Sequence, residues 1–208
     1  MKKPACILLV LFSIIFLTQS CEDNSTNPTI VSDVLMPLNV GNYWINKVTE
    51  YNPQGNVISI DTVHGYVAMD SIWNNEKIYR MSITSNESAY DNSFILNRNT
   101  GVYLLNPSSG ENEPLLYLKY PAVKGDFFLF RSDTMWVEEI DVEYTVPAGT
   151  FKCYKYKNQS IFDDSTIYKE YHYYSPGTGP ITSETYYEDE NTKMYLEYKW
   201  ELIEYKIK

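Results

Sequence analysis

Few side chains in this chain could do chemistry, and the densest group of them is Tyr168-Lys169-Glu170-Tyr171-His172-Tyr173-Tyr174. As an extended strand, this run puts Tyr168, Glu170, His172 and Tyr174 on one face, because successive strand side chains alternate. A Glu and a His sharing a face can exchange a proton or hold a polar ligand. On a solvated face the same two residues would only make cross-strand contacts. A second carboxylate, Glu138, shares the more apolar face of Thr134–Val146 with Trp136, Ile140, Val142, Tyr144 and Val146. In a packed core Glu138 needs a partner or a raised pKa; beside an open cavity it needs neither. The opposite face of that run, from Met135 and Val137 to Glu143 and Thr145, is mostly polar and is expected to face water. The candidate ligand-binding residues are therefore Trp136, Glu138, Tyr144, Glu170, His172 and Tyr174, with no catalytic residue among them.

Other chemistries lack their residues. The chain contains no G-x-S-x-G, no phosphate-cradling P-loop and no G-x-G-x-x-G before a helix. Gly177-Thr178-Gly179-Pro180 leads into a strand and reads as a β-turn. The two histidines, His64 and His172, and the single internal cysteine, Cys153, fall short of the three or four ligands of a zinc site, so no metal and no cofactor is expected. Cys153 reads as a small buried hydrophobe. Asp163-Asp164 and Glu188-Asp189-Glu190 lack the residue order of a calcium loop and read as solvated loop tips. With 17 basic and 27 acidic residues and a formal charge of −10, the chain is ill suited to a nucleic-acid partner.

The elements that position these residues are strands. Apolar and aromatic residues recur with a period of two, and Gly, Pro and Asn clusters break the runs. The turns expected are Asn52-Pro53-Gln54-Gly55-Asn56, Asn74-Asn75, Arg98-Asn99-Thr100-Gly101, Pro147-Ala148-Gly149 and Ser175–Pro180. The strands expected between them run from Asn42 to the C-terminus, with Val57–Met69 and Ser71–Trp73 as separate pieces. No window supports a long helix, although a short one fits Val31–Met36. Pro37-Leu38-Asn39-Val40-Gly41-Asn42-Tyr43-Trp44 and Pro121-Ala122-Val123-Lys124-Gly125-Asp126-Phe127-Phe128 share the form P-x-x-x-G-[ND]-aromatic-aromatic, either a duplication or one turn used twice. The 20 tyrosines, eleven of them between Tyr154 and Tyr205, suit a concave sheet binding a sugar or an amphipathic ligand; they also suit any half-exposed sheet.

The N-terminus reads as targeting. Lys2 and Lys3 precede an apolar run, Ile7–Leu17, too short to span a bilayer, so residues 1–20 are expected to be a signal peptide. Leu17-Thr18-Gln19-Ser20-Cys21 resembles a bacterial lipobox, which makes Cys21 the lipid-attachment residue; an ordinary cleaved signal is the alternative. Residues 21–34 read as a flexible tether, and 35–208 as a single β domain. Glu22-Asp23 resembles the acidic signals that send some lipoproteins of Bacteroidetes to the outer surface.

Three motifs carry a wider resemblance. Pro37…Gly41-Asn42-Tyr43-Trp44, Pro147-Ala148-Gly149-Thr150-Phe151-Lys152-Cys153 and Tyr173-Tyr174-Ser175-Pro176-Gly177-Thr178-Gly179-Pro180-Ile181 resemble, in order and spacing, those of an uncharacterised Bacteroidetes lipoprotein family, with Thr178 in place of an apolar residue and Tyr173 in place of Trp. That family is similar to the Lol-type half-barrel lipoproteins. The resemblance implies an all-β fold, one antiparallel, strongly curled sheet forming an open or half-closed β-barrel with meander connections. It also implies the cell envelope, with the outer membrane favoured, and it implies no activity. The expectation is an exported, lipid-anchored, non-catalytic binding module for an apolar or glycan ligand, its partners being the membrane through the lipid and an envelope protein. The alternative is a structural or protein-interaction lipoprotein with no small-molecule site.

Overall fold

The computed structural model of the chain describes residues 33–85, 89–90, 93–106, 110, 112–161, 167–188 and 193–208. The signal peptide, Cys21, most of the tether, Asp163-Asp164 and Asp189-Glu190 lie outside the described residues. Thirteen strands follow one another: β1 (Tyr43–Tyr51), β2 (Val57–Trp73), β3 (Glu76–Thr84), β4 (Ala89–Tyr90), β5 (Phe94–Arg98), β6 (Gly101–Leu105), β7 (Leu115–Lys119), β8 (Phe127–Phe130), β9 (Asp133–Val146), β10 (Gly149–Ile161), β11 (Ile167–Ser175), β12 (Gly179–Glu188) and β13 (Met194–Lys206). No helix occurs among the described residues, and none covers 33–36.

All pairings are antiparallel. The order β7-β6-β5-β3-β2-β1-β13-β12-β11-β10-β9-β8 makes one nearly closed barrel-shaped sheet, with β4 beside β3. It is a meander in two runs, joined where β1 pairs with β13. The remaining seam lies between β7 and β8. Side chains cross it: Lys119 Nζ lies 3.0 Å from Asp126 Oδ2, and the rings of Tyr117 and Phe130 meet edge to face at 5.2 Å.

Turn chemistry sets the register. Asn74 and Asn75 both take positive φ (46° and 65°), the backbone that a two-residue hairpin needs and that Asn tolerates. They close β2 onto β3, and β2 runs unbroken through Asp70, where two pieces were expected. Asn52 Oδ1 accepts hydrogen bonds from the backbone N–H of Gln54 and Asn56, closing β1 onto β2. The two P-x-x-x-G-[ND] segments form the same turn. Gly41 N donates to Val67 O, Asn42 N to Asn39 O, and Val67 N to Asn42 O; Gly125 N donates to Val137 O, Asp126 N to Val123 O, and Val137 N to Asp126 O. Each turn opens one of the two strand runs.

The core joins both runs. Trp44, Val67, Val102, Leu118, Val137, Tyr156, Ile181 and Leu202 are buried in one cluster, together with Leu35, Met36 and Leu38, which precede β1. Val34 O accepts a hydrogen bond from Gly177 N, so the chain is fastened to the β11–β12 turn just before that apolar segment.

One face assignment is corrected. Met135 and Val137, expected to face water, are 2 % and 0 % exposed, while Trp136 is 37 % exposed. β9 serves two environments. Its first part pairs with β8 in the barrel wall and turns Met135 and Val137 inward. Beyond two register shifts opposite Cys153–Tyr156, it pairs only with β10 as a two-stranded arm. The polar residues Asp141, Glu143 and Thr145 belong to the solvated side of that arm, and their number hid the buried pair before them.

Candidate functional site

The barrel interior holds a partly open cavity of about 360 Å³ between β1–β3, β5–β7 and β11–β13. Its origin is a mismatch of side-chain sizes. Gly65 faces inward between Val63 and Val67 and leaves space beside Trp44, its partner across the β1–β2 pair. On β12, Ser183 stands opposite His172 and Thr185 opposite Glu170, so two large polar side chains have small neighbours. Toward β8–β10 the interior is filled instead by Phe128, Met135, Val137 and Tyr156. The cavity walls are mainly apolar, with Met36, Met81, Ile83, Ile95 and Leu104 on one side and Trp44 and Trp200 on another.

One polar cluster interrupts that lining. Glu170 and His172 come from alternate positions of β11, and His172 Nε2 lies 3.5 Å from Glu170 Oε2. Burial raises the Glu170 carboxyl, but hydrogen bonds from His172, Tyr168 and Asn158 outweigh it and hold the group below the usual carboxylate value. Asn158 sits opposite Glu170 on β10, and its Oδ1 is buried without a hydrogen-bond partner. Tyr117 and Tyr174 place their hydroxyls 3.3 Å apart at the cavity wall, and burial raises both above the ordinary phenol value, Tyr174 well above it. The arrangement can hold a mainly apolar molecule and offer acceptor oxygens to one end of it.

The six residues singled out in the sequence divide by face. Glu170, His172 and Tyr174 line the cavity. Trp136, Glu138 and Tyr144 lie on the other side of the sheet. Glu138 has its partner there: Lys155 Nζ, 2.5 Å away, which also sits over the rings of Tyr171 and Tyr173. Tyr144 packs on Tyr173 with ring centroids 4.6 Å apart and donates a hydrogen bond to Glu184 at 2.7 Å. Lys157 covers the Trp136 ring. The β9–β10 arm is thus tied to β11–β13, and Ala148 N completes the attachment by donating to Leu202 O.

Sequence reasoning missed Trp44, Gly65, Tyr117, Asn158 and Trp200. Of these, Gly65 carried a readable signal, since a lone glycine inside a strand marks missing bulk or a close approach. His64 is exposed on β2, Cys153 is buried elsewhere, and no group of three or more metal-ligating side chains occurs among the described residues.

Two solved structures share the fold. One is a protein inferred to be exported, with a YmcC-like fold, from Bacteroides fragilis: the TM-score is 0.55 at 12 % identity, covering 82 % of this chain and 98 % of that one. The other is an inferred lipoprotein from Parabacteroides distasonis: the TM-score is 0.55 at 18 % identity, covering 84 % of this chain and 99 % of that one. No family model matches the chain, and no curated protein does. Both neighbours come from the bacterial group whose lipoproteins the sequence motifs resemble, and at these identities the likeness shows the fold.

Proposed function

We propose that this chain is an exported, lipid-anchored envelope protein whose barrel binds a mainly apolar small molecule in its interior. The carrying observation is the partly open cavity itself, about 360 Å³ of aromatic and aliphatic lining with one polar cluster. Its size falls within the roughly 300–1,000 Å³ of small-molecule sites. A well-packed barrel leaves no such void. Export is supported by the Lys2-Lys3 and Ile7–Leu17 pattern and by the name of the Bacteroides fragilis neighbour, and anchoring by Cys21 and by the lipoprotein name of the Parabacteroides distasonis one.

Gly65 offers a test that leaves the wall intact. A Cβ there would meet only Trp44 O, at 3.9 Å, so a larger side chain can grow into the cavity. Gly65→Leu is expected to fold, to gain stability from a filled void, and to lose whatever molecule co-purifies with the wild-type chain in native mass spectrometry. Retention of that molecule in the variant, or a wild-type chain that carries none and binds no apolar probe, refutes the reading. Metabolic labelling with palmitate, abolished by Cys21→Ala, tests the anchor.

A second reading has its own observation. On β8, Phe127 and Leu129 are 68 % and 66 % exposed beside the unpaired edge of the seam. Exposed apolar residues on a free strand edge suit a protein partner. Cross-linking from position 127 in intact envelopes would recover that partner, and a failure to recover any neighbour counts against it.

A further inference from the structure

We infer that the cavity takes a ligand whose head group is a hydrogen-bond donor, a hydroxyl or an ammonium, and that it discriminates against anionic heads. The inference rests on reading the cavity as a ligand site and specifies what the polar end of that ligand must be.

The charges are sorted by face. Among the described residues lining the cavity there is one carboxylate, Glu170, one imidazole, His172, and no Lys or Arg. Four lysines of β1, β10 and β13 stand on the opposite side of the sheet. Lys155 is bound to Glu138, Lys157 lies over Trp136, Lys199 lies beside Tyr144 and Glu201, and Lys47 is bound to Glu201. An anionic head entering the cavity would find no guanidinium or ammonium to pair with and would share a low-dielectric space with Glu170.

Hydrogen-bonding capacity points the same way. Glu170 already receives bonds from Tyr168, Asn158 and His172, which favours its ionised form. Asn158, opposite Glu170 on β10 and outside the cavity lining, spends its amide N–H on that carboxylate and leaves the cavity-facing side of Glu170 to a ligand. The Tyr117–Tyr174 hydroxyl pair, also at the wall, can serve one end of a hydroxyl head as donor or acceptor. A neutral or cationic head satisfies this set, and the Met and Ile wall takes the chain attached to it.

A displacement series tests the inference. The full chain carrying Cys21→Ser is loaded with N-phenyl-1-naphthylamine, an uncharged apolar fluorophore. Decylamine, decanol and decanoate are then titrated against it at neutral pH. Decylamine and decanol are expected to displace the fluorophore at concentrations roughly tenfold or more below that of decanoate, as a like-charge contact demands. Glu170→Gln is expected to narrow the gap between decylamine and decanoate to about threefold and to leave decanol in place. Decanoate matching or exceeding decylamine on the wild-type chain overturns the inference while leaving the cavity a binding site. Failure of the fluorophore and all three compounds to bind overturns both. The wild-type series decides the matter without the variant, should Glu170→Gln fail to fold.

Discussion

Gly179 gives the sharpest test of how the barrel is held together. It begins β12 with φ at +96°, and a Cβ there would lie 3.2 Å from Trp44 Nε1, 3.3 Å from Cζ2 and 3.4 Å from Cε2. Trp44 cannot give way easily, because it is buried at 1 % exposure and its Nε1 donates to Thr178 O at 2.7 Å. Gly179→Ala therefore carries two costs. The left-handed backbone costs about 1–2 kcal/mol for a residue with a Cβ. Forcing a methyl group against a fixed indole adds about 1–2 kcal/mol, the lower part of the overpacking range. Gly55 isolates the first cost: its φ is +81°, and nothing lies within 4 Å of where its Cβ would be. Urea unfolding of the two variants is expected to place Gly179→Ala below Gly55→Ala by the packing term alone. For a protein of this size each kcal/mol is about 2–4 °C in Tm. Introducing Trp44→Phe removes the nearest atom, so in that background the cost of Gly179→Ala is expected to fall toward that of Gly55→Ala, a coupling that a double-mutant cycle reads directly. Equal costs for the two glycine variants in the wild-type background would refute the stapling of β1 to the β11–β12 turn.

Three further outcomes follow from the same geometry. Glu201 is raised by burial but held lower overall by hydrogen bonds from Lys47 and Lys199, so its folded pKa lies below the ordinary 4.5; its stabilisation is complete above that value and is lost as pH falls through the folded pKa, and Glu201→Gln is expected to flatten the acid limb of a Tm-against-pH curve. Burial pushes the Cys153 thiol up to about 12, so alkylation by iodoacetamide at mildly alkaline pH is expected only as fast as the chain unfolds, and rapid labelling of the folded protein would contradict its burial. Trp136→Ala is expected to leave apolar-probe binding unchanged and to cost under about 1 kcal/mol in urea unfolding, since the ring is exposed and makes one cation contact on the outer face.

Strand positions were legible because their signals are local. The runs after Asn52–Asn56, after Asn74-Asn75 and around Arg98–Gly101 became hairpins at the expected turns, since alternation and turn residues act over a few positions. Two misreadings have the same local cause. Asp70 looked like a break between two strands, yet β2 continues through it, where Asp70 faces out and binds Lys77 at 2.7 Å. Ala89–Tyr90 is too short to show any alternation, so β4 was not expected. The repeated P-x-x-x-G-[ND] turn was read in both places; in the fold the two copies share three equivalent backbone hydrogen bonds and each starts a strand run.

The site was legible only in part, because alternation assigns residues to a common face without saying which face is concave. Glu170, His172 and Tyr174 were grouped correctly, and so were Trp136, Glu138 and Tyr144. What separates the groups is register: Trp136 is paired with Lys157, Glu139 with Lys155, and His172 with Tyr156, so one group looks outward with the lysines and the other inward with the tyrosines. The cavity itself depends on bulk that is not there. Gly65, Ser183 and Thr185 hold inward positions where Val or Leu would have closed the core. A pattern search for apolar residues treats such positions as weak points in a strand. On a barrel they mean something else when polar residues share their face. Glu170, His172 and Asn158 point inward among aromatic rings, which a solid core would not accept at that density. Small and polar residues alternating with large apolar ones on the same inward face thus mark a hollow interior, and that combination was present in β11, β12 and the middle of β2 before any fold was known.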